Sequence, residues 1–136
     1  MEAMEFHGYK NPETCVYERE SLSLDKLKNG YLYMKEILEE RRKEELPQAW
    51  IATSDYLAIG LMRAINEKGY HIPDDFGVVG YDNLELSAYV YPKLTTVSQD
   101  QKLFGEKLWE AVEHYNRTNE TIDILLPQKI VIRESC

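Results

Sequence analysis

The chain has 136 residues, enough for one domain with a single core, and its 43% hydrophobic and 29% charged content fits an ordinary folded protein. A net charge of −8 excludes a surface that grips nucleic acid by itself, and equally one that adheres to an anionic membrane, since both need a basic face. No apolar run is long enough to span a bilayer, and the start MEAMEFHGYK has neither the basic nor the apolar region of an export signal. Cys15 and Cys136, alone at opposite ends, make no disulfide framework and no metal spacing; reduced thiols in a cytoplasmic protein are expected.

In chain order, MEAMEFHG resembles the last two turns of a helix, closed by Gly8. CVYE (15–18) is expected to be a short strand. A helix starts from Ser23 or Asp25, with Leu27, Tyr31, Met34 and Leu38 recurring at three- and four-residue steps as one buried stripe. Its mixed-charge tail, EERRKEE (39–45), is a solvated face that Leu46-Pro47 ends. AWIAT (49–53) reads as an apolar strand. A helix then runs to Lys68, capped by Ser54-Asp55, with the stripe Leu57, Leu61, Met62 and Ile65 and with Gly69 as its stop. FGVVGY (76–81) is a further strand, LELSAYVY an ambiguous segment, and LTTV (94–97) a third apolar strand. Asp100 or Gln101 opens an amphipathic helix with Leu103, Phe104, Leu108, Val112 and Tyr115 on one side. A polar stretch leads to the last strand, KIVIRES (129–135).

Short apolar strands alternating with helices predict an α/β fold, an open parallel sheet with helices on both faces. Right-handed crossovers bring every strand's carboxyl end to one edge, where such sheets bind ligands. Two strands finish on acids there: Asp55 after AWIATS and Asp82 after FGVVGY. For Asp55, Ser-Asp before a helix also reads as an amino-terminal cap, with Ser54 or Asp55 contacting a ligand as the alternative. Asp82 follows a Gly-Tyr turn with no strong helical stripe behind it, and a rim carboxylate suits the vicinal hydroxyls of a sugar or polyol. His7, His71 and His114 have no nucleophile or acid at motif spacing, and no P-loop, G-x-G-x-x-G or H-E-x-x-H occurs. No catalysis, cofactor or metal is expected.

The segment AWIATSDYLAIGLMRAINEKGYHIPDDFGVVGYDNLELSAYVYPKLTTVSQDQKLFGEKLWEA, with KIVIRES after it, resembles the effector-binding core of the lactose repressor (LacI/GalR) family. The family pattern runs through an apolar strand, N-D-x-x-A-x-G, a helix, P-x-D, an apolar strand with G-[FY]-D-[DN], then T-T-[VI]-x-Q and a closing R-x-S. The match covers residues 49–135. It implies one lobe of a periplasmic-binding-protein-like two-lobe clamp, with residues 1–98 and 127–136 in the carboxy-terminal lobe and 99–126 a crossover helix belonging to the other lobe. MEAMEFHG matches the end of the family's R-x-x-G-F-x-x-A-[LM]-x-x-x-G, so the resemblance implies a chain without the DNA-binding headpiece, most of the first lobe, the first strand of the second, and the effector Arg.

Carried over residue by residue, the family's effector contacts fall on Ser54 in place of an Asn, on Asp82 and on Gln99; the departure at Ser54 leaves the ligand open. The aromatic that stacks on the effector has no counterpart near Leu24 and Asp25. A homodimer contact is implied through the helix 56–68, with Leu57 and Leu61, and through residues 87–92, with Tyr89 and Tyr91. The helix 100–116, without its family partner surface, is expected to fold back on its own lobe or to be covered by a second copy. The function implied is effector sensing, of a sugar or related metabolite, in a cytoplasmic regulator that meets DNA only through the absent headpiece. A transport-type sugar-binding protein of the same fold is the alternative. A phospho-accepting enzyme using Mg²⁺ needs a third rim acid that the sequence does not supply.

Overall fold

The computed structural model describes residues 2–8, 10, 12–18 and 25–136. Its helices are α1 (Glu2–Phe6), α2 (Lys26–Glu40), α3 (Asp55–Glu67) and α4 (Gln101–Thr118), and its strands β1 (Ala49–Ile51), β2 (Gly77–Tyr81), β3 (Thr95–Gln99) and β4 (Gln128–Val131). Each long helix starts where a short polar side chain meets its first free N–H groups. Asp25 accepts from Lys28 in α2, Ser54 from Leu57 in α3, and Asp100 from Leu103 in α4.

The strands form one four-stranded sheet in the order β1-β2-β3-β4. β1 and β2, and β2 and β3, run parallel, as their apolar sequences predict. β4 departs from the all-parallel expectation: it pairs antiparallel with β3, Gln99 lying opposite Gln128. The excursion through α4 and residues 119–127 returns the chain to the end of β3 at which it left, and a strand that starts there can only run back alongside. β4 is also shorter than KIVIRES suggests. After Val131 the tail pins the sheet instead, the Ser135 hydroxyl donating to the Val78 carbonyl at 2.6 Å and accepting from the Thr95 N–H at 2.8 Å.

Two further expectations are corrected. Residues 15–18 form no strand: Pro12–Cys15 is a 3₁₀ turn, and Tyr17 lies across Trp50 with ring centroids 5.0 Å apart. So short a segment needs a paired neighbour to become a strand, and β1 pairs with β2 alone among the described strands. Nor does α2 continue through its charged tail. Arg41 is extended, a separate 3₁₀ turn occupies Lys43–Glu45, and Glu45 holds the Arg42 N–H at 3.0 Å and its guanidinium at 3.1 Å.

The core lies where α2 and α3 pack together and against the sheet, with Met34, Ile37, Ile65, Phe76, Val78 and Leu94 buried in it. Two glycines set how closely the helices approach. A Cβ on Gly30 would stand 2.2 Å from the Leu57 carbonyl oxygen, and one on Gly60 2.0 Å from that of Leu27. α4 is different. None of its residues is buried, and Phe104, Leu108, Trp109, Val112 and Tyr115 are exposed. The expectation that α4 folds back on its own lobe is therefore not met. Among the described residues the two other long helices, α2 and α3, pack on each other and not on the apolar face of α4.

In the segments that lead into β1 and β2, Lys43 forms an ion pair with Asp75, which also accepts the His71 N–H at 2.7 Å. The Lys43 ammonium first, and that N–H second, push the Asp75 carboxyl down from 3.8 to about 2. A carboxyl lowered on folding stabilises the native state above its unfolded value of 3.8 and loses that effect as pH falls through about 2. Asp75→Asn should therefore differ most from the wild type near neutrality, with the gap in urea-unfolding stability closing across that acid window. Gly60→Ala, which in an open helix would stabilise by about 1 kcal/mol, should here destabilise by roughly 1–3 kcal/mol. Chemical denaturation reads the sign directly.

Candidate functional site

The carboxyl ends of β1, β2 and β3 open onto one edge of the sheet, and the residues singled out by sequence divide sharply there. Ser54 follows β1, is 2% exposed, and spends its hydroxyl accepting the Leu57 N–H at 3.3 Å. It is the cap of α3, so the reading of Asp55 as that cap is corrected. Asp55 is the first residue of the helix and has no exposed surface. One carboxylate oxygen accepts the Leu84 N–H at 2.7 Å and the Ser87 hydroxyl at 2.5 Å; the other accepts the Thr96 hydroxyl at 2.5 Å. A solute reaching this edge meets no atom of Asp55.

Asp82 has the opposite character. It is exposed, and its backbone N–H extends the ladder to the Val97 carbonyl at 2.9 Å before the chain turns. The turn sets Asp82 at φ 111° and Asn83 at φ 52°, a region side chains rarely adopt. Asn83 is tied down on three sides. Its N–H reaches the Thr96 hydroxyl at 3.3 Å, its amide nitrogen the Ser98 hydroxyl at 3.4 Å, and its carbonyl oxygen accepts from Arg133 at 2.7 Å. The Asp82 carboxylate thus projects from a turn whose next residue is fixed.

Gln99 ends β3, half-buried, and donates its amide to the Tyr81 hydroxyl oxygen at 2.8 Å; Gln128, opposite it on β4, donates to the same oxygen. A phenol oxygen has two lone pairs and one proton. With both lone pairs engaged by amides, the Tyr81 hydroxyl can serve a further partner only as a donor. The edge thereby offers a carboxylate, two amides and a phenol donor, groups suited to hydroxyl-rich solutes. Tyr81, Asn83, Gln128 and Arg133 escaped the sequence reading. The Asp-Asn pair did carry a signal, since these two residues tolerate left-handed backbone best. Gln128 carried none, because only the antiparallel return of β4 brings it here.

Leu57 and Leu61 are half-buried in a groove of about 140 Å³ that they line with Gly30, Tyr33, Met34 and Trp50. Tyr89 and Tyr91 are 76% and 89% exposed, and Tyr91 lines a separate groove with Ile59, Met62 and Val90. Among the described residues no three His, Cys, Asp or Glu side chains are grouped to hold a metal ion. Nor, among the described residues, is any helix long and apolar enough to cross a membrane.

The family model for the periplasmic binding protein-like domain matches residues 1–136. A transcriptional repressor named PurR, from Mannheimia succiniciproducens, is 40% identical over 111 residues, covering 79% of this chain and 32% of the repressor. A lac repressor dimer, solved bound to operator and the anti-inducer ONPF, is 32% identical with a TM-score of 0.70, over 79% of this chain and 37% of that one. A LacI family regulator from Enterococcus faecium with bound ribose is 30% identical with a TM-score of 0.64, over 80% and 40%. The resemblance to the lactose repressor family is borne out. The chain spans about a third of the length of the curated relatives it matches.

Replacing Ser54 by Ala should cost about 1 kcal/mol, the typical worth of a lost helix cap. Ser54→Asn, which restores both a cap and the family's residue, should recover most of that in the same thermal-unfolding series.

Proposed function

The chain belongs to the periplasmic binding protein-like domain family, and from that premise we propose that it is the effector-sensing part of a LacI-family transcriptional regulator. The observation that carries this reading is Asp82, an exposed carboxylate on a restrained turn at the carboxyl edge of parallel strands, at the position the family uses for solute hydroxyls. Gln99 is proposed as a second contact, with Ser54 contributing chiefly through the helix it caps. The effector class is a sugar or a related small metabolite, in keeping with the ribose of the Enterococcus faecium regulator.

In this reading residues 1–98 and 127–136 form one lobe of a clamp, and 99–126 reach the other. A solute that prefers one hinge angle shifts the population between DNA-gripping and DNA-releasing forms. The uncovered apolar side of α4 supports that assignment, because such a side needs a surface from outside this lobe. Association into a homodimer is proposed through Tyr89 and Tyr91, which are exposed, and through the helix that carries the half-buried Leu57 and Leu61. DNA is contacted through a headpiece outside this chain, in the cytoplasm. The repressor relatives favour this reading over a transport protein and over an enzyme.

The test uses the whole parent regulator, its operator affinity followed by fluorescence anisotropy against a panel of pentoses, hexoses, disaccharides and nucleobases. At least one compound should shift the affinity, and Asp82→Ala should weaken the response to it roughly 10- to 100-fold, the value of a hydrogen-bonded charge. A parent protein indifferent to the whole panel, or an unchanged response in Asp82→Ala, overturns the assignment.

A further inference from the structure

We propose that Asp55 is a positioning residue for the rim: its buried carboxylate holds the turn that presents Asp82 and Asn83, without touching the solute itself. The proposal rests on the reading of that turn as solute-facing. Three observations carry it.

The first is where the donors come from. Asp55 sits at the start of α3, yet none of its partners belongs to that helix. The Leu84 N–H follows the Asp82–Asn83 turn directly, Ser87 lies in the 3₁₀ helix Glu85–Ala88 beyond it, and Thr96 belongs to β3. One side chain therefore ties the segment that leaves the turn, and the neighbouring strand β3, to the helix. The second is a relay. The Thr96 hydroxyl donates to Asp55 and accepts the Asn83 N–H, and a hydroxyl can do both only if its proton is committed to the carboxylate. The orientation of Thr96, and with it the anchoring of Asn83, follows from the charge behind it. The third is strain. Two consecutive residues at positive φ, neither of them glycine, persist only where their surroundings fix them.

Gly80 shows how tightly the space is defined. A Cβ there would lie 2.2 Å from the Asp55 Oδ1 and 2.9 Å from Leu94, so the strand beneath the rim has to leave its side chain out for the carboxylate to reach Thr96. Moreover, every partner of Asp55 is a neutral donor, so the anion depends on their number and direction.

The test needs no solute, so its failure is separable from failure of the sensing reading. In the full chain, ¹⁵N-labelled, amide hydrogen exchange is compared at Asn83, Leu84 and the core residue Ile65 for the wild type, Thr96→Val, Thr96→Ser and Ser87→Ala. Thr96→Val keeps the shape and removes the relay. It should raise exchange at Asn83 and Leu84 about tenfold or more while Ile65 stays within about threefold. Thr96→Ser, which keeps the hydroxyl, should restore wild-type protection. Should Thr96→Val not fold, Ser87→Ala, which removes a single donor, is expected to raise Leu84 exchange selectively. A uniform rise at all three amides reports a merely structural role and overturns the proposal. So does no change in Thr96→Val or Ser87→Ala, or a Thr96→Ser that behaves like Val.

Discussion

A carboxylate with no exposed surface is the constraint from which the working edge of this domain follows. Taking an anion out of water costs several kcal/mol unless hydrogen bonds replace its hydration. Asp55 is accommodated because two hydroxyls and one backbone N–H converge on it from separate parts of the chain. That requirement fixes more than one residue. It calls for hydroxyls at 87 and 96, for an empty side-chain position at 80, and for a chain path that brings the Leu84 N–H inward. The rim turn is one consequence of meeting that demand.

Much of the fold is written locally. Stripes such as Met34 and Leu38, or Met62 and Ile65, show which side of a helix goes inward, and Asp25, Ser54 and Asp100 mark the starts because a short oxygen there accepts one of the first turn's free N–H groups. What stayed hidden depends on partners distant in sequence. The direction of β4 follows from where a long excursion ends, and no property of KIVIRES reveals that. Residues 15–18 have strand-like composition but pair with no strand among the described residues. The end of α2 at Glu40 is decided by Glu45 and Asp75, which bind the charges of Arg42 and Lys43 outside the helix.

α4 carries the same lesson into energetics. Its periodicity was legible and its apolar side correctly placed, yet nothing among the described residues buries it. Burying a large apolar side chain is worth about 1.5–3 kcal/mol, so five of them represent a free energy comparable with the whole stability of a small domain, roughly 5–15 kcal/mol. A sequence does not hold such a stripe over so many turns without a surface to bury it. The stripe is thus information about a neighbour, in keeping with a chain about a third as long as its relatives.

The two acids that end parallel strands show why position alone could not assign their roles. Both Asp55 and Asp82 leave the sheet at the same edge, and the sequence separates them only by the helical stripe that follows Asp55 and is missing after Asp82. The backbone separates them. Asp55 enters a helix, whose first turn carries its side chain inward beneath the following loop, where donors are waiting. Asp82 enters a left-handed turn, which reverses the side chain's direction and leaves it in solvent. The buried acid then fixes the turn that exposes the other. A single carboxylate at this edge can either be buried among its donors or stand in solvent, because the same oxygens cannot do both, and here Asp55 takes the first position and Asp82 the second.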